Sequence, residues 1–507
     1  MPPESGRGLP AHVEVAVIGS GFGGLAAAIA LLQRRRDFLV LERADDVGGT
    51  WRDNSYPGCA CDVPSHLYSF SFAPNPDWSR SFSSQWEIQE YLRRVGRDSG
   101  VLPRIRFGAE VLEARWEPEP RRWRLRTTLG DMTADVVVAG TGGLSEPSVP
   151  ALPGLERFEG TTFHSARWRH DHDLAGERVG VVGTGASAIQ FIPRIQPVAR
   201  RLLVFQRTAP WVMPRRDRDY GRAERWLYRR VPATRRLLRS AIYWGRESWV
   251  VAFAKRPRIM AVAERQALRL MRKQVPDPEL RRKLTPPYRL GCKRVLLGSD
   301  YYPALVEPNV DVVTDRIVEI LPRAVVTEGP GGRRTEHPVD TIVFGTGFHV
   351  TDPPIAGRVF DGEGRSLGEH WSEGGMSALH GITVAGFPNL FLLVGPNTGL
   401  GHTSIVIMIE AQVRYLMDAL RQMRERGIAA IEPRRDVQEA YSSRMQRELA
   451  GTVWNTGGCR SWYLDERGRN TTLWPTFTFT FRRELERCDL SLYEIHPRVG
   501  PRRTVAA

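Results

Sequence analysis

One local pattern, an apolar strand, a glycine turn and an apolar helix, occurs twice in this chain and restricts what it can fold into. The first copy is "EVAVIGSGFGGLAAAIALLQRR", with Gly19, Gly21 and Gly24 in the spacing G-x-G-x-x-G and Gly23 beside the last of them. In that spacing the first glycine permits the turn, the second lets backbone approach a pyrophosphate, and the third lets helix pack on strand. A second strand, "FLVLE", ends in Glu42, about twenty residues on, where a carboxylate takes ribose hydroxyls. The second copy is "ERVGVVGTGASAIQFIPRI", with Gly183, Gly185 and Ala188 in the permitted G-x-G-x-x-A form and Thr184, Ala186 and Ser187 completing the turn. Its following strand, "RLLVFQR", has Gln206 at the acidic position, then Arg207 and Thr208. A guanidinium there pairs with a 2′-phosphate, so the second site selects NADPH over NADH.

A further echo lies in "ADVVVAGTGG" and "VDTIVFGTGF", each an acid, a buried strand and Gly-Thr-Gly. Each closes one nucleotide-binding unit and passes the chain to the other. After the second, "FPNLFLLVGPNTGLGHTSIVIMIEAQVRYLMDAL" reads as strand, turn containing Asn397, and long helix with Thr403 or Ser404 as N-cap. The expected fold is α/β, with two Rossmann-like dinucleotide-binding domains, the second inserted in the first. The first domain comprises residues 1–150 and 381–507 and holds FAD. The second comprises 151–213 and 288–380, with its return linker, and holds NADPH. Residues 214–287 form a helical insertion. Two dinucleotide sites in one chain make electron transfer between two cofactors the natural function.

The formal charge of +15 invites a nucleic-acid partner. The arginines are spread along the chain without a nucleic-acid module signature, so no nucleic acid is expected. The basic helical stretch from Pro214 to Pro287 reads as a cap with a solvated face, or as a surface for an anionic membrane. No apolar run reaches membrane-spanning length, so no stable insertion is expected, and the protein is expected to be cytoplasmic. Cys59, Cys61, Cys292, Cys459 and Cys488 do not make a disulfide scaffold in 507 residues, and a reducing compartment fits them. Cys59 and Cys61, one residue apart in "YPGCACD", could form a redox couple or half a metal site. No partner pair accompanies them; they read as packing residues, and no metal is expected.

With two nucleotide folds established, "FEGTTFHSARW" gains meaning: Phe158, Gly160, His164 and Trp168 follow F-x-G-x-x-x-H-x-x-x-W, just before the second fingerprint. This resembles the signature of the type I Baeyer-Villiger monooxygenases, flavoproteins that insert oxygen beside a ketone carbonyl. Related N- and S-oxygenating enzymes end the motif with Tyr or Phe, and Arg169 stands where the family usually has Pro or Asp. The resemblance extends through "VIGSGFGG", "VGGTWRDNSYPG", which carries Thr50 and Trp51, "GCKRVLLGSDYYPAL" and "VGPNTGLGH". It implies that Arg294 is the active-site arginine, Asp62 its carboxylate partner near the flavin, and Lys293 a contact to the 2′-phosphate. Lys293 is one of only four lysines in a chain that otherwise uses arginine. Trp462, in "GGCRSWYLD", resembles a family tryptophan near the nicotinamide or substrate.

The resemblance implies an NADPH- and FAD-dependent enzyme that converts an apolar ketone and dioxygen to an ester or lactone through an arginine-stabilised flavin peroxide. His164 and Trp168 are expected to be structural or gating residues between the domains. An N- or S-oxygenating monooxygenase and an NADPH reductase acting through flavin are the rival activities. The substrate and the oligomeric state are not set by the sequence.

Overall fold

The computed structural model describes residues 8–498, so the outer limits expected for the first domain, 1 and 507, lie outside them. Both fingerprints fold as their spacing predicts, each within its own sheet and paired in parallel on both sides. Strand His12–Ile18 pairs in parallel with Phe38–Leu41 on one side and Gly130–Ala139 on the other. Its residues Val15 to Ile18 are buried in succession because both faces are covered: Val15 and Val17 pack in the core with helix Phe22–Gln33, and Ala16 and Ile18 in a second core with Trp123 and Leu125. The sheet has eight strands. An antiparallel meander of Val111–Glu117, Arg122–Thr127 and Gly130–Ala139 extends one side, and Leu390–Leu392 pairs with the end of Gly130–Ala139. Helices Phe22–Gln33 and Ile405–Glu425 pack on this sheet and on each other. Ser404 is the N-cap of the second of these, accepting the Val406 N–H at 3.3 Å.

The second sheet is fully parallel, in the order Val310–Val313, Arg201–Phe205, Arg178–Val182, Thr341–Phe344, Thr161–His164. The chain therefore has an α/β fold with two Rossmann-like domains, the second inserted in the first. The return to the first sheet begins at Val359–Phe360, which pairs with Val111–Glu117. Between the sheets the outgoing and returning linkers run side by side: Ser148 N–H donates to the Gly347 carbonyl at 2.9 Å and His349 N–H to that of Glu146 at 3.1 Å.

The insertion is helical, with Arg222–Arg230, Pro232–Glu247, Met260–Gln274 and Pro278–Leu284 as its main elements. It is anchored inward at a few points. Arg239 donates to the His66 and Ser69 carbonyls at 2.7 and 3.1 Å. Buried Glu247 accepts the Thr478 N–H at 3.0 Å and also the Thr478 hydroxyl.

Candidate active site

The two glycine turns show why each needs glycine. Gly19 has φ +93°, and a Cβ there would lie 2.8 Å from the Gly140 carbonyl oxygen. Gly183 repeats this with φ +103° and a Cβ 2.6 Å from the Gly345 carbonyl oxygen. Gly140 and Gly345 open the two Gly-Thr-Gly segments, so each closes its own nucleotide turn from the neighbouring strand. Gly24 lies so close to strand His12–Ile18 that a Cβ would overlap the Gly19 carbonyl oxygen, and Gly23 packs against Leu393. Helix Phe22–Gln33 begins at Gly21 and helix Ala188–Ile195 at Ser187, neither with a side-chain cap. The N–H groups of Phe22 to Gly24 are free for an anion, which a helix N-terminus favours, whereas in the second helix Ile189 and Gln190 already donate to the Gly185 and Ser187 carbonyls.

Glu42 is buried at the end of its strand, accepting from the Ser20 N–H at 2.8 Å, the Ser20 hydroxyl at 2.7 Å, the Ala44 N–H at 3.0 Å and Arg52 at 2.9 Å. That holds a carboxylate beside the first glycine turn, where an adenosine ribose of FAD fits. Thr50 and Trp51 start a short helix against the same turn; Gly49 meets Gly21, and the Trp51 ring N–H donates to Tyr68 at 3.1 Å. Asn397 is also buried, but its amide is used within the chain, donating to the Asn470 and Leu473 carbonyls at 2.8 and 3.1 Å. It fixes the "VGPNTG" turn to the C-terminal loop instead of offering that amide to a cofactor.

In the second unit, Arg207 is exposed beside Thr208, whose carbonyl accepts the Thr184 hydroxyl at 3.3 Å. Lys293 is half-buried over the Tyr288 ring, and burial together with the nearby Arg207 holds its pKa below the ordinary lysine value. Two cations thus converge from segments far apart in sequence, and Thr184 of the second glycine turn is tied to the residue after Arg207. This donor set fits a 2′-phosphate and pyrophosphate, hence NADPH.

Between the cradles, Arg294 and Asp62 form a bidentate fork: Nε to Oδ2 at 2.6 Å and Nη2 to Oδ1 at 2.7 Å. The pair lines one small pocket with Arg246, Trp249, His402 and Thr403. Burial pushes the Asp62 carboxyl up, but the Arg294 charge and hydrogen bonds outweigh it and hold the carboxyl below its ordinary range. The Asp62 charge in turn raises the Arg294 pKa well above its ordinary value, although burial opposes this. Both groups stay ionised across the working pH range. About a third of the Arg294 side chain, 32%, remains solvent-accessible. Its remaining nitrogen, Nη1, has only a long contact to the Leu400 carbonyl at 3.5 Å and is the donor left for a substrate or cofactor oxygen.

The signature residues lie at the linkers. His164 ends strand Thr161–His164, packs against Phe348 of the returning linker and accepts the Ala166 N–H on Nδ1 at 3.1 Å. Burial, reinforced by Arg167, lowers its pKa to about 4, so it is a neutral packing residue at physiological pH. Trp168 packs edge-on against Phe163 at 5.1 Å and against Phe191 of the second nucleotide helix at 5.3 Å. Gly160 is required because a Cβ would overlap the Asp340 carbonyl and crowd the Phe158 ring. Phe158 itself packs with the core of the second domain.

Several participants were missed in the sequence. Arg246, from the insertion, donates to the Asp62 carbonyl at 3.1 Å and stacks on Trp249 at 4.8 Å. Buried His402 stands 3.5 Å from the equally buried Glu247, and the Tyr463 hydroxyl and Thr403 Oγ1 are buried without partners. Trp462, which the sequence did single out, is 42% exposed and its ring lies tilted against Tyr463 at 4.5 Å. Neither the basic composition of the insertion nor an isolated Tyr signals these roles; they arise where distant segments meet.

Two of the five cysteines are bonded: Cys292 and Cys459, 167 residues apart, form a single disulfide, which is no scaffold but which the expected reducing compartment did not foresee. Gly457 packs so close to Cys292 that a Cβ there would come within 2.5 Å of the cysteine Cβ, and this contact brings the loops together. The bond ties the segment carrying Lys293 and Arg294 to the loop carrying Trp462. Cys59 and Cys61 are free and buried, as their packing role requires. Burial raises the Cys59 thiol to about 12 and the Cys61 thiol further, which leaves both unreactive.

A flavin-binding monooxygenase-like family model matches residues 12–243. A Baeyer-Villiger monooxygenase of Streptomyces coelicolor is 56% identical over 96% of this chain and 93% of its own length. One of Pseudomonas aeruginosa is 48% identical over 96% and 92%. Among solved structures, a closed cyclohexanone monooxygenase superposes with TM-score 0.85 at 27% identity, covering 97% of this chain and all (100%) of that one. An oxidised steroid monooxygenase bound to NADP gives 0.83 at 29% identity, covering 96% and 100%. Two nucleotide cradles, a charged fork between them and full-length relatedness at this level have one common explanation: the chain is a flavoprotein of the Baeyer-Villiger monooxygenase family, with FAD and NADPH as its cofactors.

Proposed function

We propose that this enzyme inserts one atom of dioxygen beside the carbonyl of an apolar ketone, giving an ester or lactone, with Arg294 as the charge-stabilising residue. The Arg294–Asp62 fork in its pocket carries this reading. Bound FAD would supply the redox chemistry, taking electrons from NADPH and activating dioxygen. Arg294 Nη1 would present a fixed positive charge to the oxyanion that develops on the attacked carbonyl. Such preorganised donors act most strongly in a site that excludes water. Asp62 occupies the other two donor edges and so fixes the plane of the guanidinium, while Arg246 holds the Asp62 backbone from behind. Glu42 and the Gly19–Gly21 turn hold FAD, and Arg207, Lys293 and the turn at Gly183 to Ser187 hold NADPH. The Trp168 ring packs between the linker region and the second nucleotide helix, where movement of the second domain would be transmitted.

Purified, FAD-loaded protein given NADPH, air and a panel of cyclic, linear and aromatic ketones should yield products one oxygen heavier, identified as esters or lactones by mass spectrometry. Sulfoxides or N-oxides alone would establish the rival activity. Arg294→Ala should keep NADPH-driven bleaching of the flavin measurable and lose ketone oxygenation by about a hundredfold or more, the effect of removing a preorganised oxyanion donor. Normal ester formation by that variant would overturn the assignment of Arg294.

A further inference from the structure

The chain's charge is less evenly spread than its residue totals suggest. Between Arg222 and Lys273, fifteen lysines and arginines stand against three carboxylates, a net +12 of the formal +15. Those carboxylates are engaged elsewhere: Glu224 pairs with Arg218, Glu264 with Arg289, and Glu247 turns inward to Thr478. Among the described residues, Arg229 is the only one of the fifteen cations in an ion pair, with Asp77. Arg239 and Arg246 are drawn inward by carbonyls. Arg222, Arg230, Arg236, Arg256 and Arg258 are among those left exposed.

The same surface presents large apolar side chains. On helix Pro232–Glu247, Leu237 is 73% exposed and Trp244 59% exposed. They are two turns apart and therefore on one stripe. Exposed Ser240, Ala241 and Gly245 lie along the same stripe, which carries no carboxylate. The Trp244 ring meets exposed Phe479 at 6.1 Å. The preceding helix exposes Trp226 and the following one Val262, at 59% and 67%. A solvated charged cap, the reading favoured by composition, does not need tryptophan and leucine on its outer face. A protruding apolar stripe among unpaired cations matches a layer with negative charge at its surface and hydrocarbon beneath it. A phosphate backbone would use the cations but would leave Leu237 without a contact.

We propose that this face docks the enzyme peripherally on an anionic lipid bilayer, with Leu237 and Trp244 entering the headgroup region and the surrounding arginines meeting lipid phosphates. No helix among the described residues is long and apolar enough to cross a membrane, which agrees with binding at the surface only. Trp249, just past the stripe, also lines the Arg294–Asp62 pocket. The docked face therefore lies next to the site's entrance, and a bilayer-dissolved substrate would enter there; this last point rests on the apolar-ketone reading, while the docking does not.

The test is flotation of the FAD-loaded full chain with vesicles of phosphatidylcholine alone or mixed with phosphatidylglycerol, at low and high salt. The protein should float only with the mixed vesicles and should be released by salt. The double variant Leu237→Ser/Trp244→Ser should lose flotation while keeping its flavin absorbance and NADPH bleaching, which shows that it is folded. Arg236→Gln should weaken partition by about fivefold, the contribution of one cation near an anionic surface. Absence of binding to the mixed vesicles overturns the proposal. So does unchanged binding by the double variant, which would reduce the effect to generic polycation attraction. Loss of a self-assembled species in the double variant by light scattering, with vesicle binding intact, would make the face a contact between copies and also overturns it.

Discussion

In the first nucleotide unit the third glycine, Gly24, has no room for a methyl group, whereas Ala188 carries one at the same position in the second. The strand ends differ in parallel: Glu42 is buried with four donors around it, while Gln206 gives its amide to the Lys283 carbonyl at 2.9 Å and Arg207 beside it is exposed. One unit is a tight cradle with an internal anion, matched to a neutral ribose edge. The other has room for a methyl group and its outer charges are positive, which suits the phosphate proposed for it. The same backbone device thus serves two ligands because helix spacing and the charge at one strand end are set independently of it.

Substitutions can break this contrast. Gly24→Ala should have the largest effect, because the new methyl group overlaps backbone that cannot step aside. A cost of about 3 kcal/mol, the upper end for overpacking, is expected. It should be read as a lowered Tm and loss of FAD absorbance from the purified protein; full flavin content at an unchanged Tm would show that the first cradle is not the tighter one.

Arg207→Ala should remove charge-assisted hydrogen bonds worth about 2 kcal/mol, roughly thirtyfold in the KM for NADPH, while leaving the KM for NADH nearly unchanged. Equal losses for both coenzymes would place Arg207 outside the 2′-phosphate site. Glu42→Gln brings the first unit toward the second. It leaves Arg52 or the Ser20 donors without a charged acceptor, at a cost of about 1.5 kcal/mol in FAD retention, measured by equilibrium dialysis. Ala188→Gly is the mildest, about 1 kcal/mol of helix propensity with NADPH affinity nearly intact. A collapse of NADPH binding in that variant would mean that the alanine methyl is part of the coenzyme site.

Much of this molecule was legible before any coordinates. Gly19, Gly21, Gly24, Gly183 and Gly185 announce themselves because the constraint on each lies within a few residues of chain, and Glu42 and Arg207 follow at a fixed distance along the same unit. The placement of Arg294 and Asp62 was legible only through resemblance: they are 232 residues apart, and nothing local in "GCKRV" or "YPGCACD" reports their fork. Arg246, His402 beside Glu247, and the unpartnered Tyr463 hydroxyl had no signal at all. The Cys292–Cys459 bond ran against what the cysteine count suggested.

By itself, then, the sequence determined the two strand-turn-helix units and the helical insertion, since short-range sterics and periodicity specify these whatever surrounds them. The tertiary structure alone decided which cation keeps a free donor in the pocket, where the thiols meet, and that Leu237 and Trp244 face outward among unpaired arginines. Each of these depends on contacts between segments tens to hundreds of residues apart, and their meeting is set by the packing of whole domains and is not coded at either residue.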